Sequence, residues 1–145
     1  PQLEANWISL DDVAKFMLAS IERPDMEGAW INIGGPERLR GKQVAQFLTE
    51  NFGREIKYDP CTPAEFGRYL VNAAGDSMPA EERDAFAAGI QAFYEYNNTA
   101  PTKPFEVDMD HVYERFPELE GKLEPMKEWI GRQDWTDSNH RPAFG

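Results

Sequence analysis

Leu10, Val13, Ala14, Met17, Leu18 and Ile21 recur at helical spacing, so the stretch after Ser9 reads as an amphipathic helix over residues 10 to 22 with that stripe against a core. Ser9 followed three residues on by Asp12 marks its start, and Asp11 and Asp12 sit where the helix dipole favours negative charge. Pro24 ends it near Arg23. Before it, Trp7 and Ile8 read as a short strand. After it, Ala29–Ile33 is apolar and partly β-branched, which predicts a buried strand closed by Gly34, Gly35 and Pro36.

The same alternation continues. Val44, Phe47, Leu48 and Phe52 predict a helix over residues 42 to 52, which Gly53 closes in left-handed geometry. Residues 55 to 58 read as an edge strand stopped by Pro60. Thr62, Pro63 and Glu65 form a helix-start signature, with Phe66, Tyr69, Leu70, Ala73 and Ala74 on one face. Pro79 and the acids Glu81, Glu82 and Asp84 open a long helix through about Tyr96, with Phe86, Ile90, Phe93 and Tyr94 as its stripe. Asn97–Pro104 has the composition of a linker. Phe105–Val107 reads as a brief strand, Asp108 as the cap of a short helix, and Leu123, Met126 and Ile130 as the stripe of a last one. The tail 134–145 has no periodicity. The expectation is an α/β fold with few short strands and five or six helices. It divides into an α/β portion over 6–75, a mainly helical portion over 76–133 and a tail over 134–145.

The order from Trp7 to Glu37 resembles the second half of the extended and atypical short-chain dehydrogenase/reductase proteins, most closely the NmrA-like branch. The resemblance is carried by Trp7-Ile8-Ser9-Leu10-Asp11-Asp12-Val13-Ala14 and by Ala29-Trp30-Ile31-Asn32-Ile33-Gly34-Gly35-Pro36-Glu37. It covers roughly residues 6 to 70. It implies that 1–145 is a single segment, the C-terminal, substrate-side part of a Rossmann-type NAD(P)-binding protein. It further implies an NAD(P)H-dependent oxidoreductase or epimerase acting on a small organic molecule, inactive without the N-terminal dinucleotide-binding half. Dinucleotide-sensing regulators without catalysis occur in the same family, and a self-standing protein-interaction domain is the third reading. A chain opening on Pro1 and not Met reads as an excerpt or a processed product.

The residues that would perform the family's chemistry are missing. The dinucleotide fingerprint places glycines between a first strand and its helix so that backbone can approach the pyrophosphate. Gly34 and Gly35 do not supply that pattern. No Tyr-x-x-x-Lys pair occurs at Tyr58, Tyr69, Tyr94, Tyr96 or Tyr113. The chain alone is therefore expected to bind no cofactor, hold no catalytic residue and turn over nothing, NAD(P) belonging to the parent protein. Its contribution would be a lining of the substrate cleft, for which Phe66, Tyr69, Phe93 and Tyr94 are the candidates, with ordinary core packing as the competing account.

Four other motifs have local explanations. Gly35–Lys42 looks like a phosphate loop, but five residues separate its glycines, Gln43 follows the lysine, Pro36 lacks an amide donor and Glu37 would repel phosphate. Asp108-Met109-Asp110-His111 carries possible metal ligands, yet a capped helix start explains them. Cys61 has no basic neighbour to activate it. Asn97-Asn98-Thr99 fits a glycosylation acceptor but reads as a turn without a secretory signal.

Composition narrows the partners. The chain of 145 residues carries a formal charge of −11, with acids along its whole length, so nucleic acid is not expected. No apolar run is long enough to span a membrane. The single cysteine excludes an internal disulfide and fits the cytoplasm. The expected partners are a small-molecule substrate and either the missing nucleotide-binding half or a second copy of the chain.

Overall fold

The computed structural model describes residues 3–21 and 23–136. It contains strand β1 (Glu4–Asn6), helix α1 (Leu10–Ser20), strand β2 (Arg38–Arg40) and helices α2 (Gly41–Phe52), α3 (Pro63–Ala74), α4 (Ala80–Thr99), α5 (Met109–Arg115) and α6 (Met126–Arg132). Single 3-10 turns lie at Pro24–Met26, Gly75–Ser77 and Pro117–Leu119. The fold is mixed α/β and mostly helical. The chain forms two compact units, one of residues 3–58 with 105–132, the other of 59–104 with 133–136.

Helix starts follow local chemistry. Ser9 accepts the Asp12 amide, Thr62 and Glu65 form a reciprocal capping box with Pro63 at the first position, and Asp108 accepts the His111 amide. Gly53 closes α2 at φ 61°, as expected. Helix α1 stops at Ser20, where the Ile21 amide turns back to Leu18 O before the proline is reached. The expected end at residue 22 falls outside the described residues. Helix α4 runs on to Thr99 through the first three residues of the expected linker, its last turn held by the Ala100 amide on Tyr96 O.

The strands differ from expectation. The only sheet among the described residues is antiparallel, β1 on β2, pairing Glu4 with Arg40, Ala5 with Leu39 and Asn6 with Arg38. Glu4 and Arg40 face each other across the ladder and form an ion pair at 2.6 Å. Thus the first strand lies at 4–6 and not 7–8. Residues 29–33 form no ladder, and neither do 105–107, where Phe105 lies in a turn. Residues 55–58 are irregular because Thr49 Oγ1 takes the Ile56 amide at 2.8 Å, bonding it to α2 and not to a strand.

In the larger unit the core is Phe16, Val112, Phe116, Leu119 and Leu123, with Ile8, Ala19, Met26, Ile31, Ile33, Val107, Met109 and Tyr113 around it. Phe16 meets Phe116 edge to face at 5.2 Å. Helix α1 therefore turns its Asp12, Phe16 and Ala19 face inward, and most of the stripe expected to be buried faces out, with Val13 half-buried. Leu10 is 85% exposed, Met17 65%, Leu18 69% and Ile21 62%. The unit has room for one face of α1, and the ring pair together with a satisfied carboxylate at Asp12 decides which. Helix α6 packs on α2, with Ile130 buried and Lys127 paired to Glu50 at 2.6 Å.

Candidate functional site

The four aromatic candidates lie on α3 and α4 in the smaller unit. The two helices pack closely, and at their crossing a Cβ on Gly67 would stand 2.6 Å from Ala87 O. Phe66 and Tyr94 meet edge to face at 5.2 Å, and Phe93 lies against Tyr94 in the same manner at 5.2 Å. Phe66 and Tyr94 are half-buried, whereas Tyr69 and Phe93 expose about half of their surface. Three of the four rings thus form one cluster, with Tyr69 outward on α3 and the exposed Phe86 on α4. Chemically the cluster offers an apolar, aromatic face with one phenol at its centre.

At the end of α4 the acceptor of the glycosylation-like motif, Asn97, is buried, and its Nδ2 donates to Phe93 O at 2.6 Å. An internal helical position with its amide engaged cannot be reached by a modifying enzyme in the folded chain. Cys61 is exposed. Glu65 is held below its ordinary carboxylate range, chiefly because the Thr62 amide and then the Thr62 hydroxyl bond the ionised form.

The other unit contains the carboxylate singled out at the start of α1. Asp12 is fully buried, and each oxygen has a donor: Lys15 Nζ at 2.7 Å on Oδ1 and the Glu124 amide at 2.9 Å on Oδ2. Lys15 also donates to Lys122 O at 2.7 Å. Arg132 joins Glu124 to Asp11 beside it, and these two carboxylates raise its pKa. Asp12 therefore fixes the loop before α6 onto α1 and, being fully buried, presents no accessible oxygen to a substrate. This long-range role accompanies the helix-start role legible in sequence.

Asn6 ties together three segments. Its amide donates to Phe105 O at 3.0 Å and its carbonyl accepts the Gly35 amide at 3.4 Å, while Nδ2 donates to Gly35 O and Oδ1 accepts the Val107 amide. The two glycines of the expected turn serve this junction by leaving space. A Cβ on Gly34 would lie 2.6 Å from Asn6 Cβ, and one on Gly35 only 1.8 Å from Trp7 O. Neither has the positive φ of a turn glycine. Glu37, which spoils the phosphate-loop pattern, accepts the Met126 amide at 2.9 Å and so caps α6. Sequence reasoning missed the roles of Asn6 and Glu37, because their partners lie 29 to 101 residues away.

The possible metal ligands after Val107 do not converge. Asp108 is occupied as a cap and His111 lies 3.5 Å from Glu114 on the helix surface. Among the described residues no group of three or more His, Cys, Asp or Glu side chains gathers around one point. No described helix is long and apolar enough to cross a membrane.

No family model matches the chain, and no solved structure matches it. Over 75 residues, 52% of its length, the chain is 27% identical to prestalk A differentiation protein A of Dictyostelium discoideum, and the match spans 25% of that protein.

Proposed function

We propose that this chain is the substrate-side part of an NmrA-like NAD(P)-binding protein. Together with a dinucleotide-binding half outside residues 1–145 it acts as an NAD(P)H-dependent oxidoreductase or epimerase on a small organic molecule. Phe66, Tyr69, Phe93 and Tyr94 supply apolar lining to the substrate side. The dinucleotide, when bound, supplies the hydride chemistry, and this chain supplies shape and water exclusion.

The observation that carries the reading is the outward stripe of α1, Leu10, Met17, Leu18 and Ile21. Fully covering one such side chain contributes about 1.5–3 kcal/mol, so covering four contributes roughly 5–10 kcal/mol. That is comparable to the whole stability of an ordinary domain, about 5–15 kcal/mol. A helix that leaves this much apolar surface open on one side, while holding its other side with a buried carboxylate and a ring pair, is built to be covered from both sides. Helices in layered α/β proteins are covered in this way by a sheet.

The second reading is a dinucleotide-sensing regulator of the same family that catalyses nothing; a Tyr-x-x-x-Lys pair in the half outside residues 1–145 favours the enzyme, and a glycine fingerprint without that pair favours the sensor. Calorimetric titration of NADH and NADPH into the 145-residue chain and into the complete polypeptide encoded by its gene tests the common part. The expected result is saturable binding by the complete polypeptide and none by the 145-residue chain. Micromolar binding by the chain alone, or none by the complete polypeptide, overturns the proposal. Nucleotide oxidation on adding carbonyl substrates separates the enzyme from the sensor.

A further inference from the structure

The larger unit is interrupted in sequence and complete in space. Its two pieces, 3–58 and 105–132, are joined by the Val107 amide on Asn6 Oδ1 at 2.9 Å, by Glu106 on Arg38 at 3.0 Å, by the Glu124 amide on Asp12 and the Met126 amide on Glu37, each at 2.9 Å, and by Phe16 against Phe116. The places where the chain leaves and re-enters it are anchored too. The Tyr58 ring lies so close on Gly41 that a Cβ there would stand 2.4 Å from Cε2, and Phe105 O takes the Asn6 amide at 3.0 Å. Between these roots the helical hairpin closes on itself. Thr62 and Glu65 cap α3, Phe66 packs on Tyr94, and Arg83 donates to Gly75 O at 2.7 Å and to Met78 O at 3.2 Å across the turn between the helices. The connectors 59–61 and 101–104 lie outside helices and strands and carry Pro60, Pro101 and Pro104, which have no amide to donate.

We propose that the α3–α4 hairpin, residues 62–100, is a separately opening element, which loses and regains its helices while the larger unit stays folded. The distribution of the core makes it the weaker part. Among the described residues, every buried apolar side chain larger than alanine, including Phe16, Val112, Phe116 and Ile130, belongs to the larger unit, and the hairpin buries only Ala100. Opening the hairpin therefore wets little that is dry, whereas opening the larger unit exposes a whole core. The helices themselves add to the difference. At 12 residues α3 has a length at which a lone helix is marginal in water, so it depends on the face it shares with α4. Residues 85–94 of α4 contain no charge, and a helix apolar all round needs cover all round. Yet Phe86 and Tyr96 are exposed, as are Ala85, Ala88 and Ala92, and Gly89 weakens the helix at its middle. Such an element is a place where binding can act as a switch, because anything that covers the aromatic face of α4 orders the hairpin and leaves the larger unit as it was. The inference is independent of the nucleotide reading, which rests on α1.

Native-state hydrogen exchange of the 145-residue chain in rising, sub-denaturing urea tests it. The α3 and α4 amides are expected to share one opening reaction, while the interior amides of α1 and α2 exchange at least about a hundredfold more slowly. Gly67→Ala, which sets a Cβ 2.6 Å from Ala87 O, should speed exchange in α3 and α4 roughly thirtyfold and leave α1 and α2 unchanged. Gly35→Ala acts in the larger unit and should do the converse. A Gly67→Ala chain whose α3 and α4 amides are wholly unprotected beside protected α1 and α2 supports the proposal equally. One opening reaction common to all the helices of the parent chain, or a Gly67→Ala chain in which α1 and α2 lose as much protection as α3 and α4, overturns it, since the chain is then a single cooperative unit.

Discussion

Replacing Gly35 by alanine should be among the most damaging single-methyl changes in this chain. The added Cβ would stand 1.8 Å from Trp7 O and 2.8 Å from its carbonyl carbon, where ordinary contact begins at 3.4 Å. Both obstacles are backbone, so the segments must separate by roughly 1.5 Å; overpacking of this kind costs about 1–3 kcal/mol even where side chains can yield. Separation also strains the Gly35 amide bond to Asn6 O and the Asn6 Nδ2 bond to Gly35 O, at about 1 kcal/mol each. The expected loss is therefore about 4 kcal/mol. A unit of this size responds by about 4–8 °C per kcal/mol, a fall of roughly 15–30 °C in Tm. Trp7, Trp30 and Trp129 all lie in the affected unit, so tryptophan fluorescence during thermal unfolding reports it. Gly89→Ala, in the middle of α4 with nothing within 4 Å of the new Cβ, is the control and should stabilise by about 0.5–1 kcal/mol. A Gly35→Ala protein that melts within about 3 °C of the parent would refute the close approach of residues 7 and 35.

Asp12→Ala should cost about 3 kcal/mol in urea denaturation, since it leaves the Glu124 amide without its acceptor. Asp11→Ala, which removes an exposed partner of Arg132, should cost less than about 1 kcal/mol; equal losses would show that Asp12 is no more than a surface cap. Gly67→Ala pushes α3 from α4 against Ala87 O and should lower stability followed by far-UV circular dichroism by about 2 kcal/mol, an unchanged melt counting against the crossing. Glu65 has a folded pKa depressed below its ordinary 4.5, so its contribution is fully present above that value and is lost as pH falls through the folded pKa. Glu65→Gln keeps the capping geometry without a titrating group, so its stability should be flatter with pH in that acidic window; parallel pH curves for the two proteins would remove Glu65 as the cause.

What the sequence determined by itself is chemistry confined to a few neighbouring residues. Ser9 at α1, Thr62 with Pro63 and Glu65 at α3, Asp108 at α5 and Gly53 after α2 all act within about one turn, so their spacing along the chain is their spacing in space. The mixed α/β class and the existence of each helix were legible for the same reason. Tertiary structure decided everything that depends on a distant partner. An apolar run such as Ala29–Ile33 predicts a strand but does not supply its ladder, because the hydrogen bonds of a strand belong to another segment. Arg38–Arg40, with two charges in three residues, shows no strand pattern, yet it pairs because Glu4 stands opposite Arg40 and Leu39 fills the core. In α1 two faces competed, and periodicity favoured the richer stripe. The core instead took Phe16 onto Phe116 and the Glu124 amide onto Asp12, contacts 100 or more residues away along the chain that no local pattern reveals. Gly34 and Gly35 were legible as glycines, but their use as space for a neighbouring backbone becomes visible only when that backbone is in place.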